Sequence, residues 1–154
     1  MRGSITDILE VFTNTSDGVY ALDTDLRIIF WNQAAQKILG FTAEEAIGHY
    51  CYEIIAGKDE SGNLVCSRSC QIMNLVRRGG MVQNRDLLTE SKEGKAVWIN
   101  MSTLAIPSRY RELSAIVHIF RDITERKYIE RLIQEITPIV EEIGKAGRSK
   151  SFRA

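Results

Sequence analysis

The feature that most constrains the fold is a change of period near the C-terminal end. From Ser114 to Phe120, Ala115, Val117 and Ile119 alternate with Ile116, His118 and Phe120, and β-branched residues at period two favour a strand. The strand gives way at Arg121-Asp122-Ile123-Thr124-Glu125-Arg126-Lys127 to a long helical pattern. Asp122 and Thr124 carry short side chains whose oxygens can accept from orphan helix N–H groups. Glu125 adds negative charge at the positive end of the helix dipole. A rigid strand-to-helix joint is expected there.

A matching half lies near the N-terminus. Asp17-Gly18-Val19-Tyr20-Ala21-Leu22-Asp23, a turn at Thr24-Asp25 and Leu26-Arg27-Ile28-Ile29-Phe30-Trp31-Asn32 read as a hairpin closed by turn-forming Asp residues. Gln33 to Gly40 follows as a short helix with Gly at its end, and Thr42 and Glu45 have the spacing of a capping box. Together with the closing Asp122-Ile123-Thr124, this order of segments resembles the PAS family of sensory domains from about Thr6 to Arg126. The resemblance implies an α+β PAS fold: a five-stranded antiparallel sheet with helices on one face, whose concavity serves as a ligand pocket. It also makes the joint at Asp122 and Thr124 the point where a signal leaves the domain.

Length and charge agree. A chain of 154 residues holds one domain and an appendage. Residues 1–16 are expected as an N-terminal helical cap with Ser4 at its start, 17–123 as the PAS domain, 124–144 as a signalling and dimerisation helix, and 145–154 as a flexible tail. Met1-Arg2-Gly3-Ser4 resembles a cloning remnant. Twenty basic and twenty acidic residues give a formal charge of zero, so no global field points to nucleic acid or membrane. Without a membrane span or signal-peptide core, the expected location is cytoplasmic.

Between the two halves, Cys66 to Arg78 reads as a longer helix ended by Gly79-Gly80. Met81 to Thr89, Ala96 to Ile106 and Glu112 to Phe120 read as strands. Beyond the joint, Ile129, Leu132, Ile136, Ile139 and Ile143 fall at spacings of three and four, with Ile133 and Val140 beside them. That stripe predicts a coiled-coil-like helix and a homodimer. Pro138 removes a backbone hydrogen bond, so a kink or restart is expected near Thr137, which can cap it.

Three cysteines, Cys51, Cys66 and Cys70, supply the unusual chemistry. On a helix, Cys66 and Cys70 would share one face about 5 to 6 Å apart. The turn-rich stretch from Gly57 to Asn63 can fold Cys51 toward them, and His49 can complete a Cys₃His set. Three readings stay open: buried thiols, a zinc or iron–sulfur site, and thiol redox switching. Haem is not expected, because the long helix before the third strand, where the family supplies an axial ligand, has no histidine. Flavin is not expected either. The reactive-cysteine motif of the light-oxygen-voltage relatives, Gly-x-Asn-Cys-Arg-Phe-Leu-Gln, is matched only at Gly48 and Cys51 of Gly48-His49-Tyr50-Cys51-Tyr52-Glu53-Ile54-Ile55.

Candidate pocket residues are Phe30, Asn32, Tyr52, Met73, Asn100 and His118, though capping is favoured for Asn32 and the face taken by Asn100 depends on strand register. No nucleophile and base are visible as a pair, and no phosphate-cradling loop occurs, so the chain is not expected to be an enzyme. Two functions compete. One is a domain that senses a small molecule or a redox state and passes it through the C-terminal helix, in transcription regulation or two-component signalling. The other is a dimerisation module with a side-chain-filled core.

Overall fold

The computed structural model describes residues 4–108, 110 and 112–151, the last three by backbone alone. Its elements are α1 (Ile5–Glu10), β1 (Gly18–Leu22), β2 (Ile28–Trp31), α2 (Gln33–Leu39), α3 (Ala43–Ala46), α4 (Cys51–Ile54), α5 (Gln71–Arg77), β3 (Arg85–Glu90), β4 (Ala96–Pro107), β5 (Leu113–Asp122) and α6 (Thr124–Ser151). They form two compact units, Met1–Asp122 and Ile123–Ala154.

In the first unit the five strands pair antiparallel in the order β2-β1-β5-β4-β3, so the last strand lies between β1 and β4. Period two sorts the side chains onto two faces. Tyr20, Leu22, Val97, Ile99, Met101, Ile116 and Phe120 join Leu39, Ala46, Cys51, Ile55 and Met73 in the main core, under α2 to α5. The opposite face sends Val19, Ala21 and Val117 against Leu9 of α1. Burying each large aliphatic side chain contributes about 1.5 to 3 kcal/mol, and β5 contributes to both layers.

The capping residues act as their spacing suggests. Ser4 and Asp7 form a reciprocal capping box at α1, Thr42 and Glu45 form another at α3, and Gly40 ends α2 in the left-handed region at φ 82°. In the β1–β2 turn, Asp23 Oδ1 accepts from the N–H groups of Asp25 and Arg27 at 2.9 and 3.0 Å.

Gly18 is fixed by a close approach. It stands in register with Phe120 across the β1–β5 ladder, and a Cβ added there would overlap the Phe120 ring. That ring is buried beside Tyr20, with centroids 5.9 Å apart, and has little room to move. Gly18→Ala is expected to cost about 1 to 3 kcal/mol by overpacking, read as a lower urea midpoint. An unchanged midpoint would show that the ring swings clear.

Some boundaries differ from those the sequence suggested. The helix expected over Cys66 to Arg78 is only α5, Gln71–Arg77, with Cys70 in its N-cap position, because Ser67, Ser69 and the turn before them do not extend the helix. The strand expected from Met81 starts at Arg85, after the exposed Met81 and its neighbours.

In the second unit α6 is one helix of 28 residues, about 42 Å at 1.5 Å per residue. It continues past Gly144 to Ser151, where a flexible tail was expected; residues 152–154 of that tail lie outside the described residues, as do 1–3 of the helical cap. The helix is assigned unbroken through Pro138. Thr137 does not cap a restart, because its hydroxyl donates back to the Ile133 carbonyl at 2.7 Å, within the preceding turn.

Candidate functional site

Three segments bring the cysteines to the inner face of β1. Cys51 opens α4, anchored by its N–H to the Leu26 carbonyl at 2.9 Å, and Cys66 lies in the loop, its N–H 3.2 Å from the Gly57 carbonyl. Cys70 accepts at its carbonyl from Asn74 N–H at 3.1 Å. All three thiols are free, Cys51 buried and the others half-buried.

All three pack in the main core cluster. Burial pushes the Cys51 thiol up to about 12, and the neighbouring Cys66 and Cys70 add to the rise. Burial also raises Cys66, with Cys70 acting in the same sense, although hydrogen bonding at Gly57 and the charge of Arg85 oppose it. The Tyr20 phenol is raised well above its ordinary value, by burial first and then by Cys66, Cys51 and Cys70. Tyr20 and Cys51 share one buried cluster with Cys66 and Cys70 packed against it, and Cys51 and Cys66 are protonated at neutral pH.

Tyr20 is also the aromatic centre of the core. Its ring lies 5.8 Å from Trp31 and 4.9 Å from His118, and its hydroxyl donates to Met101 Sδ at 3.7 Å. His118 faces Tyr20 on β1 and Thr103 on β4 in cross-strand register, with Nδ1 3.0 Å from Thr103 Oγ1. Burial pushes its imidazole down to about 4, which leaves it neutral at pH 7.

The expected site divides. Met73 and His118 belong to the buried interior, and Tyr52 is partly buried and stacked on Tyr50 at 5.2 Å. Phe30 is corrected to the opposite face, packed on the layer beneath α1. Asn100 is on that opposite face too, donating to Asp86 Oδ1 at 2.8 Å, since its neighbours Ile99 and Met101 point into the core. Asn32 is buried and ties β1 to α2: its Oδ1 accepts from Val19 N–H and Ala35 N–H, both at 2.9 Å. Its amide donates to the Phe12 carbonyl, Thr15 Oγ1 and the Asp17 carbonyl at 2.9, 3.0 and 3.1 Å.

His49 does not complete a Cys₃His set. It is exposed, with Nδ1 3.8 Å from Glu53 Oε2 one helical turn on. Among the described residues no group of three or more His, Cys, Asp or Glu side chains is gathered to hold a metal ion.

The strand-to-helix joint is one residue wide. Asp122 ends β5, paired with Ile99, and Thr124 opens α6. Ile123, between them, accepts at its carbonyl from Lys127 N–H at 2.9 Å. Along α6, Ile129, Ile136, Ile139 and Ile143 are 47 to 66% exposed, and Leu132 is half-buried.

Two features were missed in the sequence: Tyr20 as the centre of the cluster, and Thr103 as the partner of His118. Tyr20 is the one aromatic in an otherwise aliphatic strand, which is a weak signal.

This architecture is that of a small sensory domain. The model of the PAS fold matches residues 12–128, and the chain belongs to that family. It is 24% identical over 144 residues to the sensor histidine kinase TmoS of Ectopseudomonas mendocina, covering 94% of this chain and 14% of that protein. It is 27% identical over 124 residues to the sensor protein kinase WalK of Staphylococcus aureus, covering 79% of this chain and 26% of that one. The chain thus spans only 14% and 26% of these relatives' own lengths, and they support a role in sensory signalling.

Among solved structures, the PAS domain of a Colwellia psychrerythraea protein aligns with TM-score 0.62 at 21% identity, over 79% of this chain and 98% of that one. An RNA-binding light-oxygen-voltage receptor aligns with TM-score 0.67 at 17% identity, over 91% of this chain and 39% of that one. At such identities the likeness concerns the fold alone. No helix of the described residues is long and apolar enough to cross a membrane.

Proposed function

We propose that the domain senses redox state through the thiols around Tyr20 and transmits it through β5 into α6, in a cytoplasmic homodimer. The observation that carries this reading is the packing of all three cysteines in one core cluster with Tyr20, whose ring meets His118 of β5 at 4.9 Å. In the resting state Cys51 and Cys66 are held protonated and unreactive. Cys70, half-buried at the start of α5 and open to a surface cleft, is the thiol an oxidant reaches first.

Attack by Cys70 on a peroxide gives a sulfenic acid and releases water. Displacement by a second thiol then forms a disulfide and releases a second water. That bond ties two of the three segments together, and Tyr20 and β5 must repack against them. The exposed apolar stripe on α6, continuous through Ile143, pairs with that of a second copy.

The chain purified without oxygen is expected to show three titratable thiols and, after peroxide, one thiol with an internal disulfide. Absorption and elemental analysis of the same sample test the alternative of zinc or an iron–sulfur cluster. Flavin and haem remain outside this reading. The competing view, a dimerisation module with a side-chain-filled core, draws on the packing of Tyr20 against Trp31, Met101, His118 and Phe120. Three thiols that survive excess peroxide, in protein without stoichiometric iron or zinc, would decide for that view.

A further inference from the structure

Beside the thiol cluster a cleft of about 610 Å³ opens, lined by the β1–β2 turn, the residues around the start of α4, and α5 with the loop before it. Arg27, Arg68 and Arg77 come to it from three separate segments, and Asp25 is its one acid. None of the three guanidinium groups has an ion-pair partner among the described residues. Arg121 and Lys92 of the same unit are, by contrast, ion-paired with Asp17 and Glu45.

Two of the arginines are held in place. Arg27 donates to the Gly48 carbonyl at 2.7 Å and to the Tyr50 hydroxyl at 3.0 Å, with its guanidinium 4.2 Å from the centroid of that ring. Arg77 donates from Nη2 to the Thr24 carbonyl at 2.8 Å, which leaves its other donors available. Arg68 has no partner at all among the described residues. Three like charges around one concavity repel, and an anion between them removes the repulsion while filling their donors. Leu26, Tyr52 and Met73 add apolar surface to the same lining.

We infer that this cleft binds a small organic anion, its carboxylate or phosphate group held by Arg68 and Arg77 and its apolar body set against Leu26, Tyr52 and Met73. The inference rests on the sensory reading only in that occupancy would be a stimulus. Cys70 and Met73 belong both to the cleft lining and to the side chains packed in the thiol-containing core, so a bound anion acts on the start of α5.

The test is an amide NMR titration of the fully reduced chain with benzoate, phenyl phosphate and inorganic phosphate. Either organic anion is expected to give saturable shifts at Arg27, Tyr52, Cys70 and Arg77, weakening as salt rises. The stronger of the two identifies carboxylate or phosphate as the preferred head group. Arg68→Met and Arg77→Met are each expected to weaken binding roughly tenfold, as loss of a charge-assisted hydrogen bond does. Arg68 is exposed and makes no hydrogen bond or ion pair with another described residue, so its variant tests binding with little disturbance of the fold. The inference is overturned if neither organic anion gives saturable shifts, if inorganic phosphate binds as tightly as both, or if Arg68→Met binds like the parent. The thiols stay reduced throughout, so failure here leaves the redox reading standing, and failure of the peroxide experiment leaves this one standing.

Discussion

Replacing Asn32 with Ala is expected to remove about 3 kcal/mol of stability. The loss combines an N-cap, worth about 0.5 to 2 kcal/mol, with a buried Val19 N–H left without its acceptor, at about 1 to 3 kcal/mol. The carbonyls of Phe12 and Asp17 lose a donor as well. One side chain here joins the 12–17 linker, β1 and α2. Urea unfolding measures it, with Asn32→Asp as the informative companion: that variant keeps both acceptors but turns a carboxylate toward two carbonyls and a hydroxyl. It is expected to be destabilised too. A loss below about 1 kcal/mol for Asn32→Ala would mean that water replaces the amide.

The second large effect is acid sensitivity centred on His118. Its folded-state imidazole is pushed down to about 4 by burial, while the unfolded chain takes up a proton near the ordinary histidine value of 6.5. Above that value both states are neutral and His118 adds no pH dependence. As pH falls below 6.5 the unfolded state binds a proton that the folded state refuses, and stability drops by about 1.4 kcal/mol per unit until pH nears 4. The full loss is about 3 kcal/mol, of which about 2 is present by pH 5. Urea midpoints at pH 7, 6 and 5 measure the slope, and His118→Gln, which can still bond Thr103, is expected to flatten it. An equal slope in the variant would place the titration elsewhere.

Much of the fold was legible because period, caps and turns are local. The alternation in β5, the capping box of Thr42 and Glu45 and the hairpin turn at Thr24-Asp25 each need only a few neighbouring residues. Register was not legible, since a shift of one residue reverses a face. Phe30 and Asn100 were therefore expected in the pocket and lie on the opposite side of the sheet. The segment from Cys66 to Cys70 failed for a related reason: apolar spacing continued from the helix into a loop that the chain holds through Gly57 and Lys58. The cysteines could be grouped from their nearness in sequence, but their meeting point, Tyr20, lies 31 residues before the first of them. The three arginines of the cleft are spread over fifty residues of chain, and only the folded backbone brings them together.

The strand order β2-β1-β5-β4-β3 also governs how the domain can be made. A ribosome delivers the β1–β2 hairpin first and the β3–β4 hairpin next, and neither is paired with the other. Until β5 emerges, β1 and β4 each hold out an unpaired edge, and Val19, Tyr20, Ile99 and Met101 have only part of their final cover. Isolated two-stranded ribbons are marginal in water, so closure of the sheet waits on the strand made last. The nascent chain is thus most open to misassembly and to chaperone capture in the interval just before Leu113–Asp122 leaves the tunnel.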